Sequence, residues 1–112
     1  MTVKDLSKIE GFKTILLVDE DLVINNAYTG DLLSDVIGNV GDNSILVTVQ
    51  AHKNTIAVGS LTSMPAIVIC NGRSCPDDMI KAAKDSEISL FTTEDNQFHA
   101  SIKIAKSLEL FK

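Results

Sequence analysis

The sequence has no tryptophan, and aromatic residues make up only 4% of the chain. Its core must therefore be aliphatic, and enough material is present because 45% of the 112 residues are hydrophobic. This composition favours a sheet covered by helices over an aromatic-rich sandwich. The length is that of one ordinary domain, so a single domain over residues 1–112 is expected.

Basic segments are also missing. The net charge is −5, and no stretch is dense in lysine or arginine, which excludes the basic face that nucleic acids and anionic membranes require. Charges in residues 1–5 stand where a signal peptide would be apolar. Every apolar run is far shorter than the ~20 residues of a membrane span. We expect a cytoplasmic protein with no nucleic-acid or membrane partner.

Catalytic and cofactor motifs are absent. The two cysteines, Cys70 and Cys75, have neither the C-x-x-C redox spacing nor convincing zinc-site spacing, and we expect Cys70 to be buried and Cys75 to be more exposed. No phosphate loop, dinucleotide-binding glycine motif or nucleophile elbow occurs. With two histidines, and His99 expected to be solvated, a zinc site would need cysteine or carboxylate help. The sequence predicts no cofactor, no metal site and no enzyme.

The first part of the chain predicts short elements. Val3, Leu6 and Ile9 recur at helical spacing and predict a helix over residues 3–10. Residues 14–18 form a strand, and a second extended run ends at Gly30. Only the acidic turn 19–21 separates them, so a hairpin or edge pair is expected. A short helix follows with Asp31 as its cap, and its predicted apolar face is Leu32, Leu33, Val36 and Ile37.

The second part of the chain alternates strands and helices. Strands are predicted at residues 44–50, 65–70 and 88–93, and helices from Pro76 and over residues 94–111. Residues 54–63 suit either a helix or a strand, since Gly59 weakens a helix by about 1 kcal/mol. The alternation is typical of an α/β domain with a parallel sheet. The side chains of the last helix predicted to face the sheet are Phe98, Ile102, Ala105 and Leu108.

Polar residues follow the predicted strands where an α/β sheet binds ligands, at the carboxyl ends. Each such segment leads into a predicted helix, whose free N–H groups favour an anion. Lys53 and Arg73 are the nearest cations. The predicted ligand-binding residues are Thr29, Gly30, Asp31, His52, Lys53, Asn54, Asn71, Gly72, Arg73, Thr92 and Thr93.

Structural roles are the alternative for the same residues. Asn54 or His52 is expected to cap the helix after residues 44–50, and Thr92 or Thr93 could cap the last helix. Asn71 and Gly72 could form only a tight turn. The cations could be solvated, and His52 could contact a partner chain or act as an acid or base.

Residues 27–61 together with residues 65–72 and 76–98 resemble the DRTGG domain, and the likeness extends over about residues 1–110. They look most like the small stand-alone DRTGG proteins, which are related to the regulatory part of HPr serine kinase. The resemblance implies a mixed, mainly parallel sheet, homodimers, and a regulatory rather than catalytic role beside an enzyme or regulatory partner protein. It also implies that residues 54–61 are helical. The eponymous motif differs here: it reads His52-Lys53-Asn54, and the paired glycines read Asn71-Gly72.

Three functional hypotheses follow. The first is a non-catalytic, homodimeric regulatory domain that senses a small anionic ligand, a nucleotide or phosphometabolite. The second is a protein-interaction subunit that uses apolar sheet edges and the small residues 57–60 and has no sizeable polar pocket. The third is an enzyme, which would need two titrating groups facing each other, most plausibly His52 and Asp31.

Overall fold

The structure is a computed structural model that describes residues 1–110. The described part contains five strands, β1 (Phe12–Leu16), β2 (Asn26–Thr29), β3 (Ser44–Thr48), β4 (Ala66–Ile69) and β5 (Ser89–Thr93). Its helices are α1 (Val3–Leu6), α2 (Leu33–Asn39), α3 (Lys53–Leu61), α4 (Asp77–Asp85) and α5 (Gln97–Ser107).

The strands form one mixed sheet in the order β1-β5-β4-β3-β2. Strands β2 to β5 are mutually parallel neighbours, whereas β1 runs antiparallel to β5. The mixed, mainly parallel sheet is therefore confirmed. All five residues of β3 are buried, as expected of a central strand.

The predicted pairing of the first two strands is wrong, because β1 and β2 lie at opposite edges of the sheet. The residues between β1 and β2 instead form hydrogen bonds with the beginning of the chain. The Val3 N–H donates to the Leu22 carbonyl at 3.0 Å, and the Ile24 N–H donates to the Met1 carbonyl at 2.7 Å. These bonds carry the chain across to the far edge, which proximity in sequence could not reveal.

Helices cover both faces of the sheet, as expected. The side chains of α2, α3 and α4 pack with Leu46, Ile67 and Leu90 on one face. Those of α1 and α5 pack with Val47 and Phe91 on the other. Successive strand residues point to opposite faces, so a strand buried on both sides reads as apolar throughout. No helix of the described residues is long and apolar enough to cross a membrane.

Helix α3 resolves the ambiguous segment and confirms the helix that the resemblance implies. Gly59 is buried in it, and a Cβ there would stand 3.1 Å from the Cδ1 atoms of both Ile67 and Ile88. The missing side chain therefore lets the helix approach the sheet closely. This contact offsets the low helix propensity of glycine.

Several predicted helix details are wrong. The first helix ends at Leu6 rather than residue 10, and the predicted end of the last helix, Phe111, lies outside the described residues. On α2 only Val36 is fully buried, and Ile37 is 45% exposed. On α5 the buried residues are Ala100 and Ile104, and Phe98 is 69% exposed. In helices of seven to eleven residues, packing against the particular strands below decides which face is buried.

Candidate functional site

The carboxyl ends of β2 to β5 meet at one edge of the sheet, as predicted. The first residue of β1, Phe12, also lies there because it pairs with Thr93 at the end of β5. The polar segments predicted after the strands, residues 28–31, 50–54, 70–74 and 92–95, therefore share an edge. They do not converge on one point, because the segments before α3 and α4 lead to one face of the sheet and the segment before α5 leads to the other.

One recess in this edge lies where β4 and β5 end. The helix after β4 packs on one face of the sheet and the helix after β5 packs on the other. The two connections diverge, which is the geometry at which open α/β sheets bind ligands. A cleft of about 360 Å³ opens at these strand ends and extends along β1, on the face of the sheet that α4 covers. Its lining includes the predicted residues Gly72, Arg73, Thr92 and Thr93, together with Gly11, Lys13, Ile15, Ser74, Cys75, Ile80 and Glu94.

Gly72 in the cleft lining belongs to a tight turn that it forms with Asn71. Both residues have positive φ, 64° and 65°, and the Arg73 N–H reaches back to the Cys70 carbonyl at 3.4 Å. Asparagine and glycine tolerate this conformation best. The Asn71 N–H donates to Asp95 and the Gly72 N–H donates to Thr93, each at 2.9 Å. The turn is confirmed, and these two N–H groups are not free for an anion as predicted.

Of the caps predicted for the helix N-termini at this edge, His52 is present, whereas Asn54, Thr92 and Thr93 do not cap. The Nδ1 of His52 accepts from the Asn54 N–H at 3.0 Å, so His52 caps α3 and Asn54 does not. Asn96 caps α5 by accepting from the His99 N–H, which excludes Thr92 and Thr93 from that role. Capping by the chain itself satisfies N–H groups that we expected an anion to use.

The cations of the cleft are available. Lys13 and Arg73 are exposed, and within residues 1–110 neither forms an ion pair with a carboxylate. Glu94 is the acidic residue of the lining. Its carboxyl group lies directly over Gly72, where a Cβ would stand only 3.0 Å from the Glu94 Cδ. The cleft thus presents two cations and one carboxylate above a glycine.

A second polar cluster surrounds Asp31 at the end of β2. Its Oδ1 accepts from the Thr48 hydroxyl at 2.8 Å, the Val49 N–H at 2.9 Å and the Gln97 amide at 2.7 Å. Burial raises the pKa of this carboxyl, but these hydrogen bonds outweigh it and leave the pKa below its ordinary value, with a contribution from the charge of Arg73. Asp31 therefore joins β2, β3 and α5 instead of capping α2, whose cap position is Leu32.

The remaining predicted residues lie apart from the cleft. Thr29 contacts α5, with its hydroxyl 2.7 Å from that of Ser101. Lys53 and Asn54 border a shallow, mainly apolar groove between α3 and α4. Gly30 donates its N–H to the Val47 carbonyl. Their role in ligand binding stays a prediction.

The pairing that an enzyme would need is not formed. In the described residues no hydrogen bond or ion pair joins Asp31 to His52, because Asp31 binds the donors named above and His52 caps α3. Nor does any group of three or more His, Cys, Asp or Glu side chains in residues 1–110 suit a metal ion. Cys70 is buried and Cys75 is partly exposed, both as free thiols, and burial raises the pKa of Cys70 to about 11.

Sequence reasoning missed part of the cleft lining. Lys13 and Ile15 belong to β1, whose position beside β5 no local pattern indicated. Ile80 belongs to α4 and also lines the cleft. The sequence indicated that Ile80 is helical but did not indicate that it lies at the cleft. Glu94 lies in a segment that was expected at this edge, but it was not among the predicted ligand-binding residues. Its position over Gly72 depends on the turn between Cys70 and Arg73.

The rim of the cleft is tied to α5 by Lys103. Its ammonium lies 2.7 Å from the Asp95 Oδ2 and donates to the Glu10 carbonyl at 2.9 Å. The hydrogen bond and charge of Lys103 hold the pKa of Asp95 below its ordinary value. Helix α5 is thereby connected to the segment before β1 and the segment after β5.

Replacing Lys103 with glutamine should raise the pKa of the Asp95 carboxyl towards its ordinary value of about 3.9, because the neighbouring positive charge is lost. A carboxyl titration by NMR would measure the shift. Lys106→Gln, one turn along an exposed part of α5, is the matched control and should leave Asp95 unchanged. An unchanged midpoint in Lys103→Gln would contradict the ion pair.

Comparison with known proteins gives one informative likeness. No family model matches the chain, and no curated protein matches it significantly. Among solved structures, it is similar to the CBS and DRTGG domains of the regulatory region of Clostridium perfringens pyrophosphatase, solved with the activator diadenosine tetraphosphate. The TM-score is 0.78 at 13% identity, over 95% of this chain and 46% of that one.

The likeness establishes the fold. The chain spans less than half the length of that regulatory region. The expected DRTGG-like fold is confirmed, and the protein that shares it is a regulatory region rather than a catalytic one.

Proposed function

We propose that this chain is a non-catalytic regulatory domain that forms a homodimer and senses a small anionic ligand, a nucleotide or phosphometabolite. The observation that carries the proposal is the cleft between β4 and β5, where Lys13 and Arg73 stand without an ion-pair partner among the described residues. A chain of net charge −5 has no general attraction for anions. Two unpaired cations in one cleft therefore support a specific site.

The structural neighbour supports the same class of function. Its regulatory region was solved with diadenosine tetraphosphate, an activator that is itself a polyanionic nucleotide. A DRTGG-like fold thus occurs in a region that responds to such a molecule. The polar cleft also favours ligand sensing over the alternative of an interaction subunit without a ligand, which predicts no sizeable polar pocket.

Thermal unfolding against a panel of anions tests the proposal. The panel contains diadenosine tetraphosphate, adenine nucleotides, sugar phosphates and inorganic phosphate. A ligand at 100 times its Kd stabilises a protein by about 2.7 kcal/mol, which should raise the Tm by about 10 °C for a domain of this size. Arg73→Gln should abolish most of the shift because it removes one of the two cations.

Lys53→Gln is the matched control. Lys53 is also an exposed cation after a strand, but it borders the groove between α3 and α4. Loss of the shift only in Arg73→Gln would support the cleft. Loss only in Lys53→Gln would place the ligand at the end of β3, another of the strand ends where the sequence predicted ligand-binding residues. A panel without any shift would contradict ligand sensing and favour the interaction subunit.

Homodimer formation is supported by large apolar side chains that are left exposed on both faces of the sheet. Leu32, Leu61 and Phe98 are each about 70% exposed, at 68%, 71% and 69%. Light scattering of the purified chain should give twice the monomer mass of 12.1 kDa. A monomer mass at all accessible concentrations would contradict the dimer without affecting the ligand site.

A further inference from the structure

We infer that the cleft between β4 and β5 binds a nucleoside 5′-monophosphate, with the phosphate at Lys13 and Arg73, the ribose hydroxyls at Glu94 and the base against Ile15 and Ile80. The inference rests on the proposed function and specifies the ligand of the same site. It follows from three chemically different parts of one lining.

The first part is cationic. Lys13 projects from the edge strand β1, and Arg73 follows the tight turn after β4. The Arg73 guanidinium can present paired N–H donors to phosphate oxygens, and the Lys13 ammonium adds a point charge. Hydroxyl groups at Ser74 and Thr92 in the same lining provide further donors.

The second part is the Glu94 carboxylate, which a site for a simple anion would not need. It would repel phosphate, and within residues 1–110 it makes no ion pair that would neutralise it. A carboxylate can only accept hydrogen bonds, and the vicinal hydroxyls of a ribose are matching donors. Acidic residues take this role in dinucleotide-binding α/β folds.

Gly72 makes room for this carboxylate. A Cβ at residue 72 would stand 3.0 Å from Glu94 Cδ and 3.2 Å from Oε1, and the backbone there has φ of +65°. The glycine therefore allows both the turn and the position of Glu94 across it. This places the acceptor in the cleft lining, over the residue that precedes Arg73 in sequence.

The third part is aliphatic. Ile15 on β1 and Ile80 on α4 are both partly buried and both line the cleft, with Cys75 beside them. This aliphatic surface can contact the flat face of a base favourably, whereas a second charged group of the ligand would lose its hydration there. The volume of about 360 Å³ lies near the lower end of the ~300–1,000 Å³ range of small-molecule sites. It fits one nucleotide rather than a dinucleotide.

Calorimetric titration of the full chain with AMP, GMP, CMP, UMP, ribose 5-phosphate and inorganic phosphate tests the inference. At least one nucleoside monophosphate should bind with a Kd at least tenfold below that of ribose 5-phosphate, because the base adds contact with the aliphatic wall. If none exceeds ribose 5-phosphate while phosphate compounds still bind through Arg73, the nucleotide assignment is overturned and the proposed anion sensor remains. If no compound binds, the nucleotide assignment is overturned, and the thermal-unfolding panel with larger anions decides whether the proposed function is overturned as well.

Glu94→Gln is a second test, in which the affinities for inorganic phosphate and for the nucleotide should change in opposite directions. Removing the negative charge should strengthen binding of inorganic phosphate about two- to fivefold, because repulsion is lost. The same change should weaken binding of the nucleotide about fivefold, because the amide has only one acceptor oxygen for the ribose. Asp95→Asn is not suitable as a control because Asp95 pairs with Lys103, so Glu87→Gln, an exposed residue before β5, is used. Tighter nucleotide binding in Glu94→Gln would overturn the ribose contact.

Discussion

Replacing Asp31 with alanine is expected to lower the free energy of unfolding by about 2–3 kcal/mol, a fall in Tm of about 10 °C for a domain of this size. One carboxylate oxygen accepts from Thr48, Val49 and Gln97, and these three donors lose their shared acceptor in the variant. Water can reach part of the site, since Asp31 is only partly buried. The expected loss of stability is therefore smaller than the sum for three hydrogen bonds to a fully buried carboxylate.

Urea unfolding of the variant and parent measures this effect. Asp31→Asn keeps one acceptor oxygen and should lose about half as much. Asp21→Ala, in the exposed acidic turn, is the matched control and should change stability by no more than about 0.5 kcal/mol. Equal stability of Asp31→Ala and Asp21→Ala would show that the cluster contributes nothing measurable.

The same variant should change the response to acid. The pKa of Asp31 is lowered in the folded protein, below about 3.9 in the unfolded chain. Its stabilising contribution is therefore complete above the unfolded pKa and is lost as the pH falls through the folded pKa. Below about pH 4 the stability difference between parent and Asp31→Ala should shrink.

Replacing Gly59 with leucine is the second change with a large expected effect, a loss of about 2–3 kcal/mol. A Cβ alone would stand 3.1 Å from Ile67 and Ile88. The whole leucine side chain would force α3 away from β4 and β5. Alanine should be close to neutral, because both neighbouring atoms are the ends of flexible side chains and the helix gains propensity.

Gly38 in α2 is the matched control for this experiment. It is also a helical glycine, but no heavy atom lies within 4 Å of the Cβ that would be added. Gly38→Leu should stabilise the protein slightly, by about 0.5 kcal/mol, since leucine is a far better helix former. Thermal unfolding should show a lower Tm for Gly59→Leu and a slightly higher Tm for Gly38→Leu. A Gly59→Leu protein as stable as the parent would contradict the close packing of α3.

Some properties could be read without the structure. The apolar runs at β3, β4 and β5 indicated strands buried on both faces, and the intervening helices required parallel neighbours. The turn at Asn71 and Gly72 was open to prediction because its conformation is local. These inferences depend on residues that lie within a few positions of one another.

The placement of β1 was decided by contacts distant in sequence. Residues 17–25 returned to pair with residues 1–4, so β1 joined β5 and carried Lys13 and Ile15 to the cleft. The same kind of contact joined Asp31 to Gln97, 66 residues apart.

The fold class and the edge of the sheet at which polar residues collect follow from local patterns, because strand periodicity and helix signals involve neighbouring residues. Which of those residues share a cleft depends on contacts between distant parts of the chain. Arg73, Thr92 and Thr93 do, whereas Lys53 and Asn54 do not. The reason is that the face on which each helix packs depends on the whole sheet, and the cleft forms where the connection after β4 and the end of β5 meet β1 and α4.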